Sequence, residues 1–179
     1  MRCFLAIELP KEVRDELFKI GEGFNSKIAK IKWCSKKNIH LTLKFFGEVS
    51  EDDLKKIDSC LHSFSFEPFQ VMLGNVGFFP KGGNPRIIFV GLQPEIPVFE
   101  LQSDVETALH TYFSRDNTFA VHLTLGRVKS ITDLKKFQTY FNTANIKPLS
   151  FEINSFSLMS STLSKEGSRY KKLKEYGLN

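Results

Sequence analysis

The chain contains two copies of one tetrapeptide, His40-Leu41-Thr42-Leu43 and His122-Leu123-Thr124-Leu125. In a β-strand, side chains at positions i and i+2 share a face, so each copy places its histidine and threonine together. The leucines fall on the opposite face, with Ile39 or Val121 before them. Each copy therefore predicts a strand with an apolar back and a polar front. Two such fronts facing each other would form a cleft with an acid on one wall and a base on the other.

The repeat involves two of only four histidines in the chain, and both copies have the same apolar phase. The alternative for either copy alone is an ordinary amphipathic strand with a polar outer face. A matched pair is much harder to obtain by chance than a single copy. The pair therefore favours a shared functional site over two unrelated surface strands.

The composition is that of one soluble domain. The chain has 179 residues, of which 41% are hydrophobic and 25% are charged, and a chain of this length can bury a core without disulfide bonds. A net charge of +5 favours a polyanionic partner such as nucleic acid. Solvated surface lysines are the alternative explanation for so small an excess.

The cysteines and the N-terminus indicate a cytoplasmic protein. Cys3, Cys34 and Cys60 are odd in number and widely spaced, which argues against a disulfide framework and against a zinc site. The apolar run at the N-terminus is short and is broken by Glu8 and Pro10, so neither a signal peptide nor a membrane span is expected.

Periodicity predicts an alternation of strands and helices. Ser50 and Asp53 resemble a capping box at the start of the second helix, and the turn 80–85 predicts a hairpin. Helices are predicted at 10–29, from Ser50 through Phe64, at 96–113 and at 132–141. Strands are predicted at 2–9, 39–46, 69–79, 86–92, 119–128, 149–160 and 168–173.

This order indicates an α+β fold rather than a doubly wound parallel sheet. The motifs lie 82 residues apart, and each follows a long helix and precedes a shorter one. We interpret this as two similar halves facing each other in a single bilobal domain, residues 1–179. Each lobe is expected to have an antiparallel sheet with helices packed outside, and a central cleft to separate the lobes.

Two imidazoles and two hydroxyls suit chemistry at phosphorus. One histidine can take a proton from water while the other gives a proton to the leaving oxygen. Thr42 and Thr124 can donate hydrogen bonds to the non-bridging phosphate oxygens. No metal is required, and His62 and His110 do not supply a plausible third zinc ligand. We expect His62 on a helix surface, and His110 to extend a polar face with Gln102 and Glu106.

Several cations are weaker candidates. Arg127 lies at an odd offset from His122, on the apolar face of a regular strand, but Gly126 can permit a bulge that re-aims it. A phosphate contact and a surface ion pair are equally open for Arg127. The lysines at 171, 172 and 174 suggest a solvated face more than an RNA track, and Arg86 is a weaker candidate still.

The chain resembles the two-histidine (2H) phosphoesterases, and within them the bacterial and archaeal RNA 2′,3′-cyclic phosphodiesterases, historically called 2′-5′ RNA ligases. The resemblance covers nearly the whole chain. One departure is Val121, because the family usually has proline before the second histidine. The matching segments are Arg2–Pro10, Trp33–Val49, the turn from Phe79-Pro80 to Pro85-Arg86, the second motif through Arg127, and Leu158–Tyr170.

The resemblance implies metal-independent hydrolysis of RNA 2′,3′-cyclic phosphate ends to 2′-phosphates, without a cofactor. It also implies reversible, ATP-independent 2′-5′ joining of tRNA halves. His40 and His122 would be the acid and base, and Thr42, Thr124 and Arg127 the phosphate contacts. We assign His40 as acid and His122 as base, and the converse stays open because the motifs are symmetrical.

Partners are expected to be RNA with 2′,3′-cyclic phosphate ends or nucleotide 2′,3′-cyclic phosphates, with no membrane, and the protein is expected to be a monomer. Two alternatives remain. One is a non-catalytic module that binds RNA ends. The other is a two-histidine enzyme acting on another phosphodiester, such as a small cyclic nucleotide or an oligouridylate tail.

Overall fold

The structure is a computed structural model that describes residues 1–81, 84–116, 118–164 and 167–179. The helices are α1 (Lys11–Glu22), α2 (Glu51–Leu61), α3 (Ile96–Leu109) and α4 (Leu134–Asn142), with a 3-10 turn at Lys36–Asn38. The strands are β1 (Arg2–Glu8), β2 (Ala29–Trp33), β3 (His40–Glu48), β4 (Phe69–Phe79), β5 (Ile87–Gln93), β6 (Leu123–Ile131), β7 (Ser150–Ile153), β8 (Ser155–Ser164) and β9 (Gly167–Gly177).

The strands form one antiparallel sheet in the order β7-β4-β5-β6-β3-β1-β8-β9, with β2 paired to β6 beside that path. Strands β3 and β6 meet at the middle of this order, through the pair Leu41 and Leu123. On one side of that contact lie β1, β8 and β9, and on the other lie β5, β4 and β7. The predicted α+β bilobal fold is confirmed.

The helices pack on one face of the sheet, which we call the back face. Helix α1 contacts β6, and α3 contacts both β3 and α2. Helix α4 joins the same layer, because Phe137 packs against Phe78 of β4. The residues between sheet and helices form one large hydrophobic core. The opposite face, the front face, carries the polar side of both motifs.

The two halves of the sequence do not each form one lobe. Strand β4 follows the first motif but joins the lobe of the second, and β8 follows the second motif but pairs with β1. The helices also cross, since α1 packs beneath β6 and α3 beneath β3. The halves are therefore interleaved, which corrects the simple view of two halves facing each other.

Helix α1 is shorter than predicted, and the chain after it forms a strand, β2, that sequence periodicity did not predict. The helix ends at Glu22, with Gly23 as its C-cap, and β2 begins at Ala29. Phe24 still contributes to the core, since its ring stacks on Phe141 at 5.4 Å. The apolar spacing that predicted a longer helix arises because Phe24 is buried against α4. The chain has already left the helix at that point.

Other boundaries differ by smaller amounts. The predicted strand 149–160 is two strands, because β7 pairs with β4 and β8 pairs with β1, so the chain changes lobes at Asn154. The predicted capping box is confirmed, with the Asp53 amide donating to the Ser50 hydroxyl (3.1 Å) and the Ser50 amide to the Asp53 carboxylate (3.0 Å). Helices α2 and α3 end before Phe64 and Phe113, respectively.

Part of the predicted turn at 80–85 lies outside the described residues, at Gly82 and Gly83. The strands on either side of it, β4 and β5, are antiparallel neighbours as the prediction required. Among the residues that the structure describes, no helix has the length and apolar character needed to cross a membrane.

Candidate active site

The register between β3 and β6 brings the two motifs together. Leu41 pairs with Leu123, and both are fully buried. In an antiparallel pair, the residues one step to either side also lie opposite each other. Extending the register by one residue sets His40 across from Thr124 and Thr42 across from His122. The four polar side chains thus share the front face, related by a local two-fold axis through the leucine pair.

The main chain fixes the orientation of the His40 ring. The Nδ1–H of His40 donates to the carbonyl oxygen of Asn38 at 2.7 Å, because only the ring nitrogen can be the donor in that contact. The Thr42 hydroxyl lies 3.0 Å from Nε2 and donates to it when the ring is neutral. Asn38 is itself held by its side-chain amide, which donates to the Ser168 carbonyl at 2.7 Å. The ring nitrogen that the main chain leaves unengaged is therefore Nε2.

His122 is held in the same way. Its Nδ1–H donates to the carbonyl oxygen of Ala120 at 2.8 Å, which leaves Nε2 available on the front face. Val121 is buried beneath it. Strand β6 begins only at Leu123, so His122 directly precedes the strand instead of lying inside it. The two imidazoles nevertheless have the same tautomer and the same kind of main-chain support.

The electrostatic environment favours a neutral His40. Burial lowers the pKa of His40 from its ordinary value of 6.5, and the charge of His122 lowers that pKa further. The hydrogen bond to Asn38 and the charge of Glu8 act in the opposite direction but do not reverse the shift. Glu8 lies across from His40 in the β1–β3 register and forms an ion pair with Lys172.

Each imidazole also packs against two aromatic rings, which sequence reasoning did not identify as site residues. The ring centroids of Phe4 and Tyr170 lie 5.0 and 5.3 Å from that of His40. Those of Phe79 and Phe89 lie 5.4 and 5.9 Å from that of His122. These rings come from four different strands, so no local sequence signal connects them to the motifs.

A β-bulge sets the direction of Arg127. Thr124 and Gly126 pair with successive residues of β5, so Leu125 is an extra residue in β6. The alternation shifts by one position at this point, and Arg127 pairs with Ile87 on the front face. The structure therefore brings Arg127 to the same side as His122, although its exposed side chain makes no ion pair with any described residue.

Strand β3 has the equivalent bulge at Leu43, after which Phe45 occupies the position that Arg127 has in β6. Phe45 is 65% exposed, and its ring lies 5.8 Å from that of Phe4. The two walls of the site are therefore chemically different. One presents an arginine and the other an aromatic ring at symmetry-related positions.

The remaining histidines lie away from this face. His62 is exposed as the C-cap of α2, and His110 is exposed at the end of α3, where its Nδ1–H donates to the Thr107 carbonyl. Gln102 and Glu106 do not form an exposed polar face with His110, because both are buried. Within the described ranges, no group of three or more histidine, cysteine or acidic residues is arranged to hold a metal.

Glu106 is buried because it neutralises Lys44, the residue that follows the β3 bulge. The Lys44 ammonium donates to both carboxylate oxygens of Glu106, at 2.9 and 2.8 Å, and to the carbonyl of Ser114 at 2.8 Å. This pair connects the strand of the first motif to α3 and to the segment that leads to the second motif. The sequence did not predict this buried ion pair, because a lysine next to an apolar strand residue is not a distinctive pattern.

The C-terminal lysines are largely committed to ion pairs. Lys172 pairs with Glu8 and Glu175, and Lys174 pairs with Asp58. Lys171 lies on the opposite face of β9 from Tyr170 by strand alternation. This supports the prediction of a solvated face over that of an RNA track.

Two symmetry-related His/Thr pairs on one sheet face are the arrangement of a two-histidine phosphoesterase. The chain belongs to the LigT like phosphoesterase family, whose model matches residues 7–89 and again residues 90–170. Each match contains one motif, which supports the internal duplication. The protein is 34% identical to the RNA 2′,3′-cyclic phosphodiesterase of Methanocaldococcus jannaschii, over 98% of this chain and 100% of that one. It is 31% identical to the enzyme of the same name from Archaeoglobus fulgidus, over 98% and 99%.

Solved structures have the same fold. A protein of Thermus thermophilus superposes with a TM-score of 0.81 at 26% identity, over 99% of this chain and 98% of that one. Escherichia coli LigT complexed with 3′-AMP superposes with a TM-score of 0.77 at 25% identity, over 99% and 97%.

Proposed function

We propose that this protein hydrolyses RNA 2′,3′-cyclic phosphate ends to 2′-phosphate ends without a metal ion. The observation that carries the proposal is the pairing of two His/Thr sets on one face, about the Leu41–Leu123 contact. The names of the relatives, RNA 2′,3′-cyclic phosphodiesterases from archaea and bacteria, support the reaction and the substrate class. The complex of Escherichia coli LigT with 3′-AMP supports a nucleotide as the kind of ligand that this fold binds.

The reaction is an in-line displacement at phosphorus. One imidazole Nε2 takes a proton from water as the water oxygen bonds to phosphorus, and the other gives its proton to O3′ as the P–O3′ bond breaks. The product carries its phosphate on O2′. After each turnover the base is protonated and the acid is neutral. Proton exchange with water returns both histidines to their starting states.

The lowered pKa of His40 bears on which histidine has which role. A base must be neutral before the reaction, and burial favours the neutral form of His40. The Nδ1–H tautomer also places the lone pair on Nε2, which can accept a proton once the Thr42 hydroxyl turns to the phosphate. We therefore propose His40 as the base and His122 as the acid, the converse of the order assigned from sequence.

The threonines and Arg127 are proposed to bind the phosphate. The hydroxyls of Thr42 and Thr124 flank the point between the two imidazoles, where non-bridging oxygens would lie. The guanidinium of Arg127 adds a positive charge on the same face, beyond Thr124, and stabilises the charge that develops in the transition state. Thr42 donates to His40 in the unliganded protein, so substrate binding would redirect this hydroxyl to phosphate.

A short RNA with a 2′,3′-cyclic end tests the reaction. We expect 2′-phosphate as the product and equal rates with and without EDTA. A 3′-phosphate product, or loss of activity with the chelator, would contradict the mechanism.

An otherwise matched substrate with sulfur in place of O3′ tests the assignment of roles, because a thiolate leaves without a proton. This substrate should restore turnover to H122A but not to H40A, and the opposite result would restore the order assigned from sequence.

The same displacement can join RNA ends. If the 5′-hydroxyl of a second RNA replaces water, breaking P–O3′ yields a 2′-5′ linkage, and this is the ligation that we propose as the minor reaction. Adding a 5′-hydroxyl RNA to the assay should give a longer product that resists enzymes specific for 3′-5′ linkages. A non-catalytic binding module would show RNA binding and neither product.

A further inference from the structure

We propose that the front face of β2 and β6 carries a track for the RNA strand that leads to the reacting end. The track is formed by Lys30, Lys32 and Arg127, which we call the basic strip. The inference rests on the proposed function and deepens it, because it makes an oligonucleotide the preferred substrate over a cyclic mononucleotide.

The sequence of β2 divides its side chains between the two faces. Ala29, Ile31 and Trp33 alternate with Lys30 and Lys32, and the apolar three face the helices. Trp33 packs beside Gly21 of α1, so closely that a Cβ on that glycine would lie 3.0 Å from the indole. Burial of the apolar side against α1 fixes both lysines on the front face, where both are exposed.

The strand register makes the strip continuous with the active site. Lys32 pairs with Arg127, so these two cations are neighbours on the front face. Arg127 follows Thr124 by three residues in β6, after the bulge at Leu125. Lys30 lies further from the motif and pairs with Ser130. A row of positive charge therefore begins beside the second motif and extends along β2.

The charge of the strip is not neutralised by the protein. In the part of the chain that the structure describes, none of the three cations lies within ion-pair distance of an acidic group. The front face beside His40 differs, because Lys172 there is paired with Glu8 and Glu175. The positive charge is therefore compensated beside Glu8 and uncompensated on the β2 side, so a polyanion is attracted to the β2 side.

The spacing of the strip suits an extended single strand. Lys30 and Lys32 are two strand residues apart, or about 6.6 Å, which is comparable to the distance between successive phosphates of an extended nucleic-acid chain. Positive side chains that follow the backbone are the common feature of sequence-tolerant binding to single strands. Arg86 and Lys129 line a cavity of about 190 Å³ at the end of β6 and add further positive charge there.

The test compares two substrates in two variants. The substrates are a cyclic 2′,3′-mononucleotide and a single-stranded RNA of about eight nucleotides with the same end. The variant K30Q/K32Q removes two charges from the strip, and K135Q/K171Q removes two exposed lysines away from the front face. We expect the ratio of kcat/KM for RNA to that for mononucleotide to fall roughly tenfold in K30Q/K32Q only. The slope of log(kcat/KM) for RNA against log[salt] should become shallower by about 1.4.

Thermal unfolding of both variants checks that the fold is intact, which the exposure of all four lysines favours. If the wild type uses both substrates equally well, or if the two variants behave alike, the basic strip does not bind RNA and the proposed function still stands. If the wild type opens neither substrate, the proposed function fails and this inference fails with it.

Discussion

The imidazole of each motif is oriented by the residue two positions before it, whose carbonyl accepts the Nδ1–H. This arrangement uses the main chain, so it does not depend on the identity of Asn38 or Ala120. It is consistent with the tetrapeptide alone being sufficient to predict that both histidines lie on one face. The aromatic rings around them could not be predicted, because each reaches the site through sheet pairing.

Replacing either histidine should remove most of the activity. We expect H40A and H122A each to lower kcat by about 100- to 10,000-fold, because a positioned acid or base contributes rate enhancement of that size. The double variant should be little slower than the slower single variant, since the two groups act in one step. Single-turnover kinetics measures all three. A single variant with nearly full rate would exclude the two-histidine mechanism.

The charge of Glu8 should be visible in the pH profile. Its carboxylate raises the pKa of His40, although burial keeps that pKa below 6.5. With His40 as base, kcat/KM rises with pH through this lowered pKa, so the acid limb should lie below pH 6.5. Glu8→Gln lowers the pKa of His40 further and should move the limb to lower pH.

Glu175→Gln is the matched control for that experiment. Glu175 shares Lys172 with Glu8 but is not among the groups that shift the pKa of His40. Its substitution should leave the acid limb in place. Movement of the limb to higher pH in E8Q would mean that Glu8 acts on a different titrating group.

At the scale of elements, the sequence predicted strands with strong alternation and helices with clear ends. It failed where burial came from a distant partner. Phe24 and Ile28 extended the apparent apolar stripe of α1, but both follow the end of the helix. Phe24 packs against Phe141 of α4 and Trp33 of β2, and Ile28 packs against the core. Glu106 has the helical spacing of a surface residue, and its burial is explained by the Lys44 ammonium, which lies on another element.

The Lys44–Glu106 pair should be important for stability. The side chains are 1% and 6% exposed, so K44M leaves a buried carboxylate without its partner and should lower the free energy of unfolding by about 3–5 kcal/mol. Urea denaturation measures this change. The double variant K44M/E106L removes the unpaired charge as well and should regain part of the loss.

The exposed pair of Lys55 and Asp52 provides the control, with side chains 78% and 79% exposed. K55M should change the free energy of unfolding by less than about 1 kcal/mol. If K44M and K55M had equal effects, the buried pair would not stabilise the link between β3 and α3.

The β6 bulge can be tested through Gly126. A Cβ at this position would lie 2.8 Å from Cγ2 of Ile31 and 3.1 Å from the Trp33 ring, so Gly126→Ala should displace β2 and destabilise the protein by about 1–3 kcal/mol. Gly91→Ala in β5 adds its Cβ to open space and should stay within about 0.5 kcal/mol of wild type. Urea denaturation distinguishes the two variants. Tolerance of alanine at 126 would show that β2 can move away without cost.

At the scale of the molecule, the repeat predicted a bilobal α+β fold correctly. It could not predict which strands of each half join which lobe. That choice depends on long-range pairing, such as β1 with β8 and β5 with β4. Both pairings place residues of similar apolar character side by side, so a sequence pattern does not distinguish them from pairing within each half.

Interleaving predicts that the halves do not fold alone. Residues 1–94 lack β6 and β8, the partners of β5 and β1, and residues 95–179 lack β1 and β4. We expect neither fragment to unfold cooperatively in thermal scans followed by circular dichroism. Co-expression of both fragments should restore one cooperative transition. Independent cooperative folding of the fragment 1–94 would contradict the interleaved arrangement.

The two-fold axis through Leu41 and Leu123 has an evolutionary consequence. A pair of half-length chains that exchanged a helix and a strand would have this same symmetry, with one motif from each subunit, and joining them end to end would give the present connectivity. In such a dimer the two imidazoles are equivalent, and neither has a fixed task. In that history a division of labour between them would begin only after fusion, when positions such as 45 and 127 would become free to diverge into phenylalanine and arginine.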